Sequence, residues 1–341
     1  MKANIKRLFC ALALGTSIMA GCKKNALTVD QPSSSIRAMG DFIRNNYNLS
    51  LLAAGLQKIG FLDSLNTGTY TLFAPENSAF NAMGITRASD FDNMNTDSLR
   101  QALKYLVIPG RVYIADLPTQ LDNIYTSLSG GPLYVSVTSY GNGADNYRVV
   151  INGCPVEDAP KRNIALTNGA MHLLQAIPKY FPGTIQGFLA KDTAATLFVQ
   201  LLKQSRQWDS LALKGPYTVY APTNDVMLRY GLTADSIAHI DVSRYQPIAY
   251  RIYTLGMAVH HVFSTDKSMV SVPNATVSVY GWTIMPDASL FIRPADGKTG
   301  AYGPSSVYYG DGRLSKDNLT DNGVVYHIKD LMNYPYLLPQ Q

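Results

Sequence analysis

A segment that occurs twice decides the fold of this 341-residue chain: YTLFAPENSAF at residues 70–80 and YTVYAPTNDVM at residues 217–227. Each copy begins with residues that favour β-strands, and a proline then ends the strand because it has no N–H to donate. Asn77 and Asn224, two positions after the prolines, are each predicted to cap the short helix that follows. Both copies therefore predict a strand, a sharp break and a helix.

A second pair of segments follows the first, TNGAMHLL at residues 167–174 and DNGVVYHI at residues 321–328. Asn-Gly is a strong turn signal, and the residues after it favour a strand. The first motif repeats after 147 residues and the second after 154, so the second copy holds seven more residues between its motifs. Repetition over so long an interval predicts two tandem domains, since solenoid repeats are shorter.

The two motif pairs resemble the two signatures of fasciclin-like domains, over roughly residues 34–339. The resemblance implies an α+β fold of two tandem fasciclin-like domains, each a small β-wedge packed with helices, at residues 36–180 and 184–339. Apolar residues at helical spacing in residues 36–65 and 184–213 agree with this fold. The motif positions to which the resemblance gives structural roles are Phe73, Pro75, Asn77, Asn168, Gly169 and His172 in the first copy, and Tyr220, Pro222, Asn224, His260, His261, Asn322 and Gly323 in the second.

Residues 1–22 have the features of a lipoprotein signal peptide. Three positive charges precede an apolar run at residues 8–20, which ends in IMAGC and resembles a bacterial lipobox. The resemblance implies that lipid is attached to Cys22 and anchors the chain to a membrane. An ordinary signal peptide with a chance cysteine is the alternative. Residues 23–35 are polar and are predicted to form a flexible tether.

The composition excludes several classes of protein. Apolar residues make up 46% of the chain and charged residues 16%, which excludes a wholly disordered chain. The net charge of +5 includes three basic residues of the leader; without them 26 basic residues face 24 acidic ones, so nucleic acid is not an expected partner. Only Cys154 remains beyond the leader and the lipid site, so no intramolecular disulfide is expected and Cys154 is predicted to be buried.

The sequence contains no pattern that would support catalysis. It has no HExxH zinc motif, no cysteine pair at metal-ligand spacing and no GxSxG nucleophile elbow. His260 and His261 are neighbours on a predicted strand, so their rings should point apart and not share a metal. His172 and Tyr326 occupy the same motif position, which predicts a packing role for either ring. We expect no enzymatic activity, no cofactor and no metal site.

The second copy departs from the family pattern between residues 278 and 321, which form a longer segment rich in glycine and tyrosine. Exposed aromatic rings on such loops can stack on sugars or form a protein contact. Tyr302, Tyr308 and Tyr309 are the candidate binding residues. The alternative is that most of these rings fill the core of an enlarged hairpin, and for the Tyr308-Tyr309 pair both interpretations stay open, because adjacent strand residues point to opposite faces.

Five triplets are similar to the O-glycosylation acceptor site of exported Bacteroidetes proteins. Each is an aspartate followed by a serine or threonine and then by an apolar residue. The alternative explanation is that aspartate and serine cap helices and an apolar residue follows. The triplets are Asp63-Ser64-Leu65, Asp97-Ser98-Leu99, Asp192-Thr193-Ala194, Asp209-Ser210-Leu211 and Asp235-Ser236-Ile237.

Together these features predict a non-enzymatic lipoprotein for adhesion or binding at the cell envelope, similar to tandem fasciclin-like lipoproteins of the Bacteroidetes. Its expected partners are an envelope or extracellular protein or a glycan, and its expected location is the outer membrane, facing either the periplasm or the surface. One alternative is an accessory subunit of an outer-membrane complex, with a transporter, for uptake of glycan nutrients. A third is an envelope hydrolase.

Overall fold

The computed structural model describes residues 36–139, 146–245, 251, 253–256, 261, 263–265, 277–279, 282–285, 291–294, 316–329 and 331. Residues from Arg37 onward form one compact unit. Its described α-helices are α1 (Met39–Arg44), α2 (Ser50–Lys58), α3 (Asn77–Asn81), α4 (Thr96–Lys104), α5 (Ile185–Lys191), α6 (Thr196–Gln204), α7 (Asn224–Arg229) and α8 (Ala234–Ala238).

Strands and helices are mixed along the chain, so the fold is α+β. The strands of the first half are β1 (Tyr70–Pro75), β2 (Val107–Pro109), β3 (Asn123–Thr126), β4 (Pro132–Ser139), β5 (Tyr147–Ile151), β6 (Cys154–Pro155), β7 (Ile164–Leu166) and β8 (Gly169–Leu174). Those that follow are β9 (Tyr180–Phe181), β10 (Tyr217–Pro222), β11 (Thr254–Gly256), β12 (Val277–Val279), β13 (Trp282–Met285), β14 (Phe291–Pro294), β15 (Asn318–Thr320) and β16 (Gly323–Ile328).

The two sequence motifs of each copy lie side by side in one sheet. Strand β1 pairs in parallel with β8 and antiparallel with β2, and the sheet order is β2-β1-β8-β7. Strand β10 likewise pairs in parallel with β16 and antiparallel with β11, in the order β11-β10-β16-β15-β9. The register is the same in both sheets, since Phe73 lies opposite His172 and Tyr220 lies opposite Tyr326. The repeated sequence thus builds a repeated sheet.

Two further sheets are antiparallel. Strands β3 to β6 form one, in chain order, and β12 to β14 form the other. The alternating residues predicted as strands at 133–138 and 147–151 are confirmed, because they form β4 and β5, which pair with each other.

The sheet of β1 and β8 has a core on each face, because successive strand residues point to opposite sides. Leu72 and Met171 pack with Leu52 and Leu56 of α2 in a core between helices and sheet. On the other face, the core includes Phe73 and the apolar residues of β4 and β5. A buried apolar side chain is worth about 1.5–3 kcal/mol relative to exposure, so these two layers are the main stabilisation of the first half.

The second half has a core of its own around Ile185, Phe198 and Tyr220. Two aromatic residues connect the halves: Tyr134 of β4 packs in this second core, and Tyr180 of β9 packs against the core of β4 and β5. Strand β9 follows the first motif copy in the chain but pairs with β15 in the second sheet.

Candidate functional site

The asparagine of the first motif holds a helix that comes before it in the chain. Asn77 Oδ1 accepts a hydrogen bond from the Leu51 N–H at 3.0 Å, and Asn77 Nδ2 donates to the Tyr47 carbonyl and to Ser50 Oγ, both at 2.9 Å. Its side chain makes no capping bond to α3, the helix in which it lies. The prediction that this asparagine caps the following helix is therefore wrong: it caps α2 and fixes the turn in front of α2.

Asn224 has the same role in the second copy. Its Oδ1 accepts from the Leu197 N–H at 3.0 Å, and its Nδ2 donates to the Thr193 carbonyl at 2.9 Å. The helix held is α6, which precedes the motif, and α7 again has no side-chain cap. The prediction of a cap on the following helix is wrong here also. One side chain thus satisfies an N–H at the start of α6 and a carbonyl of the turn before it.

The asparagine of the second motif ties three segments together. Asn168 Oδ1 accepts from the Met39 N–H at 2.9 Å, and Nδ2 donates to the carbonyls of Leu65 and Gly68, each at 2.6 Å. Asn168 thus joins the start of α1 and the loop before β1 to the start of β8. A Cβ on the adjacent Gly169 would lie 2.0 Å from a backbone oxygen of β1, so only glycine fits.

Asn322 repeats this arrangement in a more buried setting. Its Oδ1 accepts from the Ile185 N–H at 2.8 Å, and Nδ2 donates to the carbonyls of Leu211 at 2.9 Å and Leu213 at 2.7 Å. Gly323 has φ of +157°, and a Cβ there would lie 2.1 Å from a backbone oxygen of β10. The motif asparagines are therefore structural links between elements of each half.

The His172 side chain is buried. Its Nδ1 accepts from the Asn163 N–H at 3.2 Å, and its Nε2 lies 3.0 Å from the Val112 carbonyl. A carbonyl only accepts, so Nε2 carries the proton. The ring stacks on Phe73 with centroids 5.7 Å apart. Burial lowers the pKa of His172 to about 4, opposed by the bond to Val112, so the ring is neutral at physiological pH.

Tyr326 occupies the place of His172 in the second half. It stacks on Tyr220 with centroids 5.6 Å apart, and its hydroxyl donates to Asp317 Oδ1 at 2.8 Å. Asp317 is fully buried and also accepts from the N–H and hydroxyl of Ser264, each at 2.7 Å. Three donors offset the desolvation of this carboxylate.

The Asp317 side chain also lies close to the first half of the chain. A Cβ on Gly153, in the turn between β5 and β6, would lie 2.5 Å from the Asp317 side chain, and Gly153 has φ of +73°. Glycine at this turn permits both the backbone conformation and the close approach. Nothing in the local sequence pattern of Asp317 indicates a contact with a turn more than 160 positions away.

Aromatic rings form the rest of the contact between the halves. Tyr105 stacks on Tyr180 with centroids 5.0 Å apart, and the Tyr180 hydroxyl donates to Asp321. Burial, together with this carboxylate, raises the pKa of Tyr180. The rings of His261 and Tyr134 have their centroids 4.1 Å apart, and the backbone N–H of His261 donates to Asp122 Oδ2 at 2.9 Å.

An aspartate and a histidine form a close pair in the second half. His327 Nε2 lies 2.5 Å from Asp192 Oδ2, and the two side chains are 16% and 11% exposed. Burial raises the pKa of Asp192, but the hydrogen bond and charge of His327 outweigh it, so the pKa lies below its ordinary value. The pair connects β16 to the turn in front of α6, which Asn224 also holds.

Several predicted site residues lie outside the described part of the chain: Cys22, His260, Tyr302, Tyr308 and Tyr309. Pro75 and Pro222 are the last residues of β1 and β10. Among the described residues, no group of three or more His, Cys, Asp or Glu side chains could hold a metal ion. Within the same residues, no helix has the length and apolar character needed to span a bilayer.

The explanation that aspartate and serine cap helices holds at Asp192 and at Ser236, whose Oγ accepts from the Thr233 N–H at 2.8 Å in the capping box of α8. Asp192 Oδ1 accepts from the Ala194 N–H at 2.9 Å at the start of a 3-10 turn. Asp63 precedes a 3-10 turn without a side-chain cap bond, and Asn95 rather than Asp97 caps α4. Capping by the triplet aspartate is therefore wrong as a general account, and glycosylation at these positions stays a prediction that intact-mass measurement of native protein would test.

Comparison with known proteins places the motifs of the first copy in a known family. A fasciclin-domain model matches residues 47–177, which contain both motifs of the first copy. The immunogenic protein MPB70 of Mycobacterium bovis is 30% identical over 161 residues, 43% of this chain and 79% of that protein. The cell surface glycolipoprotein MPB83 of the same species is 35% identical over 98 residues, 27% of this chain and 41% of that protein.

Two more distant similarities extend over more of the chain. The transforming growth factor-beta-induced protein ig-h3 of Sus scrofa is 29% identical over 179 residues, 52% of this chain and 24% of that protein. The solved FAS1 domain pair from the insect cell adhesion molecule fasciclin I covers 84% of this chain and 96% of its own, with 17% identity and a TM-score of 0.34.

Proposed function

Because the chain belongs to the fasciclin-domain family, we propose that it is a non-enzymatic binding protein of the cell envelope, anchored by lipid on Cys22. Its ligand is an envelope or extracellular protein or a glycan. A relative named as a cell surface glycolipoprotein supports the location and the anchor. In this proposal the motif copies form two domains, residues 36–180 and 184–339, joined after Tyr180.

One observation carries the proposal: the motif side chains hold helices to strand ends. Asn77, Asn168, Asn224 and Asn322 each make three or more hydrogen bonds to segments distant in the chain. Polar groups committed in this way stabilise a rigid scaffold and do not face a substrate. A rigid scaffold leaves recognition to surface loops, as a binding protein requires.

The anchor is tested by fractionation of cells that express wild type or Cys22→Ser. The wild-type chain should sediment with the outer membrane and incorporate labelled fatty acid, and the variant should do neither. Membrane association of the variant equal to wild type would contradict the lipid anchor. Protease treatment of intact cells then decides between a surface and a periplasmic orientation.

The binding role is tested by capture from envelope extract with the full mature chain. We expect a protein or glycan to be retained by wild type and lost by the double variant Tyr308→Ala/Tyr309→Ala. If the double variant captured as much ligand as wild type, the two tyrosines would not be the contact site. Turnover of any glycan by the pure chain would refute the non-enzymatic role. Retention of an outer-membrane transporter would support the alternative of an accessory subunit in nutrient uptake.

A further inference from the structure

One aromatic ring of the first half is almost wholly in solvent. Tyr47 is 87% exposed, more than any other large hydrophobic side chain in the described part of the chain. It lies in the 3-10 turn Tyr47–Leu49, in front of α2. A single exposed apolar residue is ordinary on a protein surface, so exposure alone indicates nothing. The surroundings of this ring supply the further evidence.

The backbone that carries Tyr47 is fixed from both sides. The Tyr47 carbonyl accepts from Asn77 Nδ2 at 2.9 Å, and Asn46 Oδ1 accepts from the Asn48 N–H at 3.0 Å. Leu49, two residues later, is fully buried in the core. The ring is therefore presented by an ordered turn, and a ligand that stacks on it does not have to order a loop.

The two chain segments that form the turn of Tyr47 and its support carry no formal charge. Residues 45–57 and 77–84, which the Asn77 side chain brings together, contain no Asp, Glu, Lys, Arg or His, in a chain that is 16% charged. The exposed polar side chains of these two segments are amides and hydroxyls, at Asn45, Asn48, Ser50, Gln57, Ser78 and Asn81. We call residues 45–50 and 77–81 the Tyr47 surface.

We propose that the Tyr47 surface binds a neutral glycan. The apolar C–H face of a sugar ring stacks on an exposed aromatic ring, and sugar hydroxyls exchange hydrogen bonds with amides and hydroxyls. A neutral ligand leaves no charge on either side to be desolvated without a partner. The inference rests on the proposed binding function and adds to it a ligand class and a contact in the first half.

The second half provides an internal comparison. Asn224 holds the Thr193 carbonyl as Asn77 holds the Tyr47 carbonyl, so the two turns are built alike. The corresponding surface there has no aromatic residue at the tip of the turn and carries the charged residues Asp192, Asp225 and Arg229. The glycan contact is therefore expected in the first half alone.

The experiment measures binding of the full mature chain to an array of neutral oligosaccharides built from hexoses and N-acetylhexosamines, with sulfated and sialylated chains as charged comparisons. Wild type should bind neutral chains. Tyr47→Ala and Tyr47→Thr, the second of which introduces the residue of the other half, should weaken binding at least about tenfold. Tyr47→Phe keeps the ring and should retain most of the binding.

The matched control is Tyr230→Ala, which removes a partly exposed tyrosine of the second half and should bind like wild type. Unfolding temperatures within about 1 °C of wild type would show that the Tyr47 variants are folded, as expected for a side chain in solvent. Equal glycan binding by Tyr47→Ala would overturn the assignment of the surface, while the binding function would stand.

Two other outcomes separate the inference from the function on which it rests. If wild type binds no neutral glycan but captures a protein from envelope extract, the glycan proposal is wrong and the binding function stands. If it binds neither, both are wrong. Preference for sulfated or sialylated chains would also overturn the proposal, because a surface without charge gives no reason for it.

Discussion

Acidification should destabilise the protein through His172, and the structure sets the size of the effect. Both ring nitrogens are engaged by Asn163 and Val112, and burial lowers the folded-state pKa from 6.5 to about 4. The unfolded chain therefore takes up a proton at this site at higher pH than the folded chain does. Stability from the neutral ring is complete above pH 6.5 and is lost as the pH falls toward 4. Between pH 7.5 and 4.5 the loss is roughly 2–3 kcal/mol.

The assay is urea unfolding followed by circular dichroism at pH 7.5 and pH 4.5, for wild type and His172→Phe. The variant keeps the stack on Phe73 but removes the titrating group, so its stability should fall by roughly 2–3 kcal/mol less than that of wild type over this interval. His239→Gln is the control, since that side chain is 77% exposed, and it should follow wild type. A loss in His172→Phe as large as in wild type would refute the reasoning.

Three further predictions concern the links between elements. Asn322→Ala removes three hydrogen bonds to distant backbone groups and should lower the free energy of unfolding by about 3 kcal/mol in urea titrations, because each of these bonds contributes about 1 kcal/mol. A loss below 1 kcal/mol would contradict this. Gly169→Ala puts a methyl group 2.0 Å from a backbone oxygen and should abolish soluble folded protein, whereas Gly187→Ala, a helical position where the added Cβ meets no atom closer than 3.7 Å, should express normally. Asp192→Asn should lower the free energy of unfolding at pH 7. The difference in this free energy from wild type should shrink as the pH falls below 3.8, because the paired aspartate has a lowered pKa in the folded protein. A difference that is constant down to pH 2 would show that the pair with His327 contributes nothing.

The strands of the two motifs could be predicted because their signals are local. A run of β-prone residues ended by proline, and a turn at Asn-Gly followed by a second such run, require only neighbouring residues. The resemblance between the copies then predicted that both halves share one fold. The equal register of β1 on β8 and of β10 on β16 agrees with it.

The role of the motif asparagine could not be obtained in this way. Helix capping was predicted for Asn77 from the residues after it, but its partner Leu51 lies 26 positions earlier, and the partner of Asn224 lies 27 positions earlier. Asparagine can satisfy any unpaired backbone group within reach, and the sheet brings the start of α2 and the end of β1 together. Local pattern identified the residue type correctly and assigned it to the wrong helix.

The sequence by itself determined which segments become strands and which become helices, and that the set occurs twice, because proline, Asn-Gly and apolar spacing act within a few residues. Only the tertiary structure decided which polar groups meet: Asp317 against the Gly153 turn, His261 on Tyr134, and His327 beside Asp192. The two residues of each pair are separated by more than 100 positions in the chain. Their contacts depend on how whole layers pack, and no local periodicity records that packing.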